Sequence, residues 1–103
     1  MRFMLEGKFP HDHGNAVLKD PQFGDKLHAL LKEMGAEQVY FCPVGGKRGF
    51  YIVLSFDDPS LIPVKIEPLF FWLQAEVTLT PVFDLADMEK AGPSIGAAMM
   101  RWG

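Results

Sequence analysis

An α+β domain is what this 103-residue sequence predicts: a four-stranded antiparallel sheet with two helices on one face, followed by a helical extension over residues 84–103. Three observations carry that expectation. Apolar residues recur at every second position in four segments, the period of a half-buried strand, and at every third or fourth position in two segments between them, the period of a helix. The segments follow in the order strand, helix, strand, strand, helix, strand. The composition, 49% hydrophobic and 22% charged, is that of an ordinary globular chain, and the length makes residues 1–103 one domain.

The first strand is "RFMLEGKF", Arg2 to Phe9. Phe3, Leu5, Gly7 and Phe9 point to one side, and Arg2, Met4, Glu6 and Lys8 to the other. "PHDHGN" supplies proline, glycine and Asx residues and reads as a loop. Phe23, Leu27, Leu30, Leu31 and Met34 then form one helical face, with Asp20 as N-cap, Pro21 in the first turn and Gly35 at the exit.

The stretch "VYFCPVGGKRGFYIVLSF", Val39 to Phe56, holds two alternating runs around two glycines and two cations. Gly45 and Gly46 suit the positive φ values of a tight hairpin turn. A phosphate-binding loop is the other reading, but Phe41 stands where its first glycine belongs, Arg48 replaces its hydroxyl residue, and a strand follows instead of a helix.

Asp58 and Pro59 open a second helix whose stripe is Ile62, Ile66, Leu69, Phe70 and Leu73. Pro63 and Pro68 fall inside it. An internal proline costs about 3 kcal/mol, so a kink or two short pieces are expected. "EVTLTPVF" is the fourth strand, with Val77, Leu79 and Phe83 against Thr78, Thr80 and Val82. In the tail, a cap at Asp84, an exit at Gly92 and a restart at Pro93 predict two short helices laid over the domain, with Trp102 and the Met pair as packing residues.

This element order is that of the ferredoxin-like split βαβ arrangement, with spatial strand order 4-1-3-2. Pro43 and Pro81 lie in the second and fourth strands, the two edges, where proline is tolerated. The face bearing Phe3, Leu5, Phe41, Phe50, Ile52 and Leu54 meets the helices. The other bears Met4, Glu6, Tyr40, Cys42, Tyr51, Val53, Thr78 and Thr80. It measures about 20 Å square at the usual strand spacing, and it is too apolar to stand bare in water. A second copy of the chain is its expected cover, making a homodimer through the open sheet face.

A net charge of -3 with scattered cations gives no field for nucleic acid. The longest greasy run, "LIPVKIEPLFFWL", is broken by Lys65, Glu67 and two prolines, so no membrane span is expected. The N-terminal residues lack the apolar region of a signal peptide. Cys42 is the only cysteine, which excludes an intrachain disulfide and makes the cytoplasm the expected compartment.

Candidate chemistry falls on the open face and on the loop. Glu6, if a dimer buries it, gains a raised pKa and becomes a candidate general base; otherwise it pairs with Arg2 or Lys8. Tyr40, Tyr51, Thr78 and Thr80 offer hydroxyls to a small ligand from an apolar wall, or simply fill an interface. Cys42 joins that wall as a small hydrophobe or, less simply, a nucleophile. His11 and His13, two apart in an extended loop, would point the same way, but no third ligand completes a metal site. His13 is retained with Glu6 as a candidate catalytic acid or base. Lys47 and Arg48 could attract an anion, or merely keep the turn soluble. No cofactor is called for.

Together with the length and the element order, "RGF" at Arg48 to Phe50, "DDP" at Asp57 to Pro59 and "TPVFD" at Thr80 to Asp84 resemble small members of the dimeric α/β-barrel superfamily. That superfamily also holds muconolactone isomerases and cofactor-free antibiotic-biosynthesis monooxygenases. The resemblance spans about residues 2–84; the helical prolines and the long tail depart from it. It implies two sheets packed face to face, with a pocket in or beside each protomer. The expected function is therefore that of a homodimeric small-molecule-binding domain with its pocket between sheet and helices. A cofactor-free isomerase or monooxygenase, and a structural dimer with a filled interior, are the alternatives.

Overall fold

The computed structural model describes residues 1–103. Its elements are β1 (Arg2–Phe9), α1 (His11–Leu18), α2 (Phe23–Met34), β2 (Gln38–Val44), β3 (Lys47–Ser55), α3 (Leu61–Leu73), β4 (Glu76–Val82) and α4 (Leu85–Trp102). The strands form one antiparallel sheet ordered β2-β3-β1-β4, which is the expected 4-1-3-2 read from the other edge. Pro43 and Pro81 do lie on edge strands, where a missing N–H removes no interior ladder bond.

The alternation read from the sequence sets the two faces. Leu5 pairs with Ile52 and Leu79, and Phe3 with Leu54 and Pro81. Paired residues share a face, so the apolar positions of neighbouring strands stack. Helices α2 and α3 close over them with Leu30, Met34, Leu69 and Leu73, all buried. Leu5, Ile52, Leu54 and Leu69 are the most deeply buried large side chains. Each contributes about 1.5–3 kcal/mol in water removed from apolar surface. Gly45 and Gly46 both have positive φ, 55° and 80°, and Val44 pairs with Lys47 across them, so the glycines make the hairpin.

Four local expectations are corrected. The "PHDHGN" segment is helical, not a loop. Pro10 ends the strand in extended backbone, and the Gly14 N–H donates to its carbonyl at 2.8 Å. Gly14 is buried, and a Cβ there would stand 2.9 Å from the Phe9 ring and 3.0 Å from Arg48 Nη1. Close approach to the sheet, not local propensity, holds α1 in place.

α3 runs uninterrupted through both prolines. Pro63 is its third residue, where an N–H has no helical partner to lose. Pro68 withdraws a bond from the carbonyl of Val64, on the exposed side of the helix, where the residue is 63% exposed.

The tail is one helix, not two. Asp84 and Asp87 form a capping box, each side chain accepting from the other's backbone N–H. The residue before a proline normally leaves the helical region because its Cβ meets the ring. Gly92 has none, so the helix continues into Pro93.

Asp20 and Asp58 are not N-caps. Each carboxylate instead accepts from the N–H two residues on, at 2.9 Å, in a turn leading into α2 or α3. The Ser60 N–H bond holds the Asp58 carboxyl below its usual range. Gly35 does close α2, at φ 70° in the left-handed region.

No residue of α4 is buried, so the expectation that the tail lies over the domain with Trp102 and the Met pair packed is also corrected: the helix projects from the domain, and Met99, Met100 and Trp102 are exposed. Its apolar residues Leu85, Met88, Ile95, Met99 and Trp102 recur at spacings of three, four and seven, forming one stripe, and they are 47–76% exposed. At 1.5 Å per residue the helix is about 27 Å long. It makes the chain 58 Å along its longest axis, with a radius of gyration of 17.4 Å against about 13 Å for a compact chain of this length. No helix is long and apolar enough to cross a membrane.

Candidate functional site

On the helix side of the sheet, α2 stands away from the edge strand β2 and leaves a cavity of about 730 Å³. Phe23, Leu27 and Leu31 of α2 form one wall, and Val39 and Phe41 of β2 the other. Phe50, Ile52, Leu69 and Leu73 close the floor. Phe41 belongs by register to the core face, opposite Phe50, yet it is 63% exposed. Its expected place under the helices is thus corrected: the ring lines the open side of the cavity because no helix reaches the sheet edge above it.

One end of the cavity is polar. Arg48 has the parity of Phe50, Ile52 and Leu54, so its side chain leaves β3 on the apolar face, opposite Phe9 of β1 and Pro43 of β2. Nη2 donates to Asn15 Oδ1 at 2.9 Å. Nη1 is buried and has no hydrogen-bond partner. His11, two residues beyond Phe9, lies at this end as well, whereas Lys47, also among the lining residues, has the parity of Tyr51 and sends its side chain to the open face. The Lys47 ammonium lies 3.8 Å from the Glu76 carboxylate.

The predicted site residues sit mostly elsewhere. Glu6, Tyr40, Tyr51, Thr78 and Thr80 occupy the open face, where Tyr51 pairs with both Glu6 and Tyr40, and Glu6 with Thr78. The Tyr51 hydroxyl donates to Glu6 Oε2 at 2.9 Å. That bond raises the phenol's pKa, with desolvation and the Glu6 charge adding to the effect. The cations offered as partners for Glu6 turn away within the chain: Arg2 Nε lies 3.2 Å from Glu37, and Lys8 Nζ 4.0 Å from Glu76. Cys42 is the one predicted ligand residue found in the cavity wall, although its register pairs it with Gly49 beside Tyr51 on the open face.

His13 does not line this cavity. Its Nε2 lies 2.7 Å from the Trp72 carbonyl oxygen, so it carries the proton and ties α1 to α3. Because α1 is a helix, His11 and His13 do not share a face, and the side-by-side placement expected of an extended loop is corrected. No group of three or more His, Cys, Asp or Glu side chains comes together as a metal site would require. A second, more open depression of about 610 Å³ lies beside His13, Lys26 and Trp72, with the Lys26 ammonium 5.3 Å from the Trp72 ring.

No protein-family model matches the chain, and no curated protein does. Among solved structures, the chain is similar to the de novo designed protein Ferredog-Diesel, at 14% identity and a TM-score of 0.44, over 79% of this chain and 85% of that one. It is also similar to MupZ from Pseudomonas fluorescens, at 23% identity and a TM-score of 0.43, over 97% of this chain and 83% of that one. The strand order and register are those of a ferredoxin-like fold.

Proposed function

We propose that this chain is a homodimeric small-molecule-binding domain of the dimeric α/β-barrel type, acting in the cytoplasm, with one ligand site per protomer between the sheet and α2. The cavity carries the reading. At about 730 Å³ it falls in the range of small-molecule pockets, roughly 300–1,000 Å³. Its walls are apolar and its few polar groups converge at one end, which is how such pockets fix a ligand's orientation. A concave apolar surface of this size between sheet and helix, open on one side at Phe41, gives a small molecule an entrance as well as a wall.

The dimer rests on two unpartnered apolar surfaces of one chain. The open sheet face presents Met4, Val53, Tyr40 and Tyr51 between its polar groups, and the α4 stripe has nothing over it. Pairing with a second copy removes both from water, at the scale of area that stable dimers bury.

The test is saturable binding of the neutral fluorophore N-phenyl-1-naphthylamine to the purified protein. One site per chain is expected, with at least tenfold weaker binding in Leu27→Trp, whose indole occupies the cavity. Binding that is non-saturable, or unaffected by Leu27→Trp, would remove the cavity from consideration.

A further inference from the structure

We infer that the ligand of this cavity is amphipathic, with an apolar body and a single carboxylate or similarly flat anionic group received by Arg48; this rests on the cavity being the ligand site. The argument begins with where the chain spends its cations. Arg2 pairs with Glu37, and Lys8 and Lys47 with Glu76, while Lys65 donates to the Met34 carbonyl at 2.9 Å. Arg48 belongs to none of the ion pairs within 4.0 Å; Lys19, Lys26, Lys32, Lys90 and Arg101 are likewise unpaired, but they are exposed to water. Arg48 is instead the cation that β3 turns toward the apolar face, half-buried between α1 and the floor of the cavity.

A guanidinium in that place without a counter-charge is costly. Charge removed from water loses hydration that only a partner of opposite sign restores, and an orphaned charged N–H costs more than a neutral one. The surroundings hold the group there rather than letting it escape. Asn15 accepts from Nη2, and the missing Cβ of Gly14 makes room for Nη1, which has no acceptor and is closed to water.

Binding requires the guanidinium to turn about its Asn15 bond, so that Nη1, now closed to water against Gly14, reaches the cavity that Arg48 lines. There a carboxylate can accept from the guanidinium in the planar geometry that arginine favours over lysine. The His11 ring, at the same end, can donate a further hydrogen bond. The rest of the wall offers almost nothing polar, so the remainder of the ligand is hydrocarbon or aromatic. The low dielectric of that wall strengthens the attraction beyond what an exposed arginine would provide.

Octanoate and 1-octanol, matched in chain length and differing in charge, separate this inference from the reading beneath it. Each is titrated at fixed ionic strength into 15N-labelled full-length protein, following the backbone amides of Gly46 and Gly49, both in the cavity wall. Octanoate is expected to bind at least about tenfold tighter than octanol, as charge-assisted hydrogen bonding implies. Arg48→Gln should bring octanoate to the octanol value and leave octanol unchanged. Equal affinities in the wild type, with both amides shifting, overturn the anion inference and leave the cavity as an apolar site. If neither compound shifts those amides, the cavity reading falls as well. The wild-type comparison decides the matter even if Arg48→Gln fails to fold.

Discussion

Replacing Val53 by aspartate tests the proposed dimer at its centre. Val53 lies on the central strand β3, on the open face, with Met4 of β1 and Gln38 of β2 directly beside it. It is half-exposed in the single chain, so the substitution leaves no core cavity, and the poorer strand propensity of aspartate costs the protomer about 1 kcal/mol or less. In a face-to-face dimer the same position is covered. Aspartate is too short to reach the rim, and its diagonal neighbours are Glu6 and an Arg2 already paired with Glu37. An uncompensated buried charge costs about 3–5 kcal/mol, and twofold symmetry places two in one interface. At 1.4 kcal/mol per tenfold, even one of the two weakens association by at least about 100-fold. Sedimentation equilibrium over a micromolar range reads this directly, with Val53→Thr as a neutral control and circular dichroism to confirm folding. The reasoning is refuted if the wild type is a monomer at micromolar concentration, or if folded Val53→Asp dimerises within threefold of the wild type.

Two further outcomes follow from local geometry. At Gly49 an added Cβ would overlap Val44 Cγ2 and stand 2.8 Å from the Gly7 carbonyl oxygen, whereas at Gly24 it meets nothing within 4 Å. Gly49→Ala should therefore cost about 1–3 kcal/mol in urea unfolding as an overpacked site, and Gly24→Ala should stabilise α2 by about 0.5–1 kcal/mol; equal effects would contradict the packing around β3. In a Tyr40→Phe background the remaining phenol, Tyr51, should ionise above its ordinary value of 10.0, and adding Glu6→Ala should lower that midpoint, read by absorbance at 295 nm. Because the folded-state value is the raised one, the bond's contribution to stability is complete below pH 10.0 and is lost as pH climbs through the folded-state value; an unchanged midpoint in Glu6→Ala would deny the bond.

The sheet was legible because each strand has one apolar face toward the helices and one more polar face, and such a strand must alternate. Leu5, Ile52 and Leu79 could be assigned to one layer from spacing alone, and they pair side by side. What spacing could not show was context that overrides propensity. "HDHGNAVL" has little helical preference, and α1 exists because Gly14 lets its backbone approach Phe9 and Arg48. The rule that makes a helix proline a break concerns a lost hydrogen bond. That rule does not bind where the N–H has no helical partner, as at Pro63, and it weighs less on an exposed turn such as that of Val64, one turn before Pro68. At Gly92 the residue before proline had no Cβ to clash.

The site was harder to read for a different reason. A void has no residues of its own, and this one arises from the distance between α2 and a sheet edge, a tertiary quantity that no local pattern encodes. The tyrosines, Cys42 and Glu6 of the open face look chemical, yet their register puts them on the same side of the sheet as Val53 and suits a covering copy at least as well. The usable signal was parity. Counting back by twos from Leu54 through Ile52 and Phe50 reaches Arg48, a cation on the dry side of a central strand, where a charge is expensive unless something pays it back. A slip of one residue would send Arg48 to the open face and Tyr51 into the core. The Gly45-Gly46 turn and the burial of Ile52 and Leu54 fix the register against that slip, so the same hairpin that looked like a phosphate cradle holds an arginine at the end of an apolar cavity.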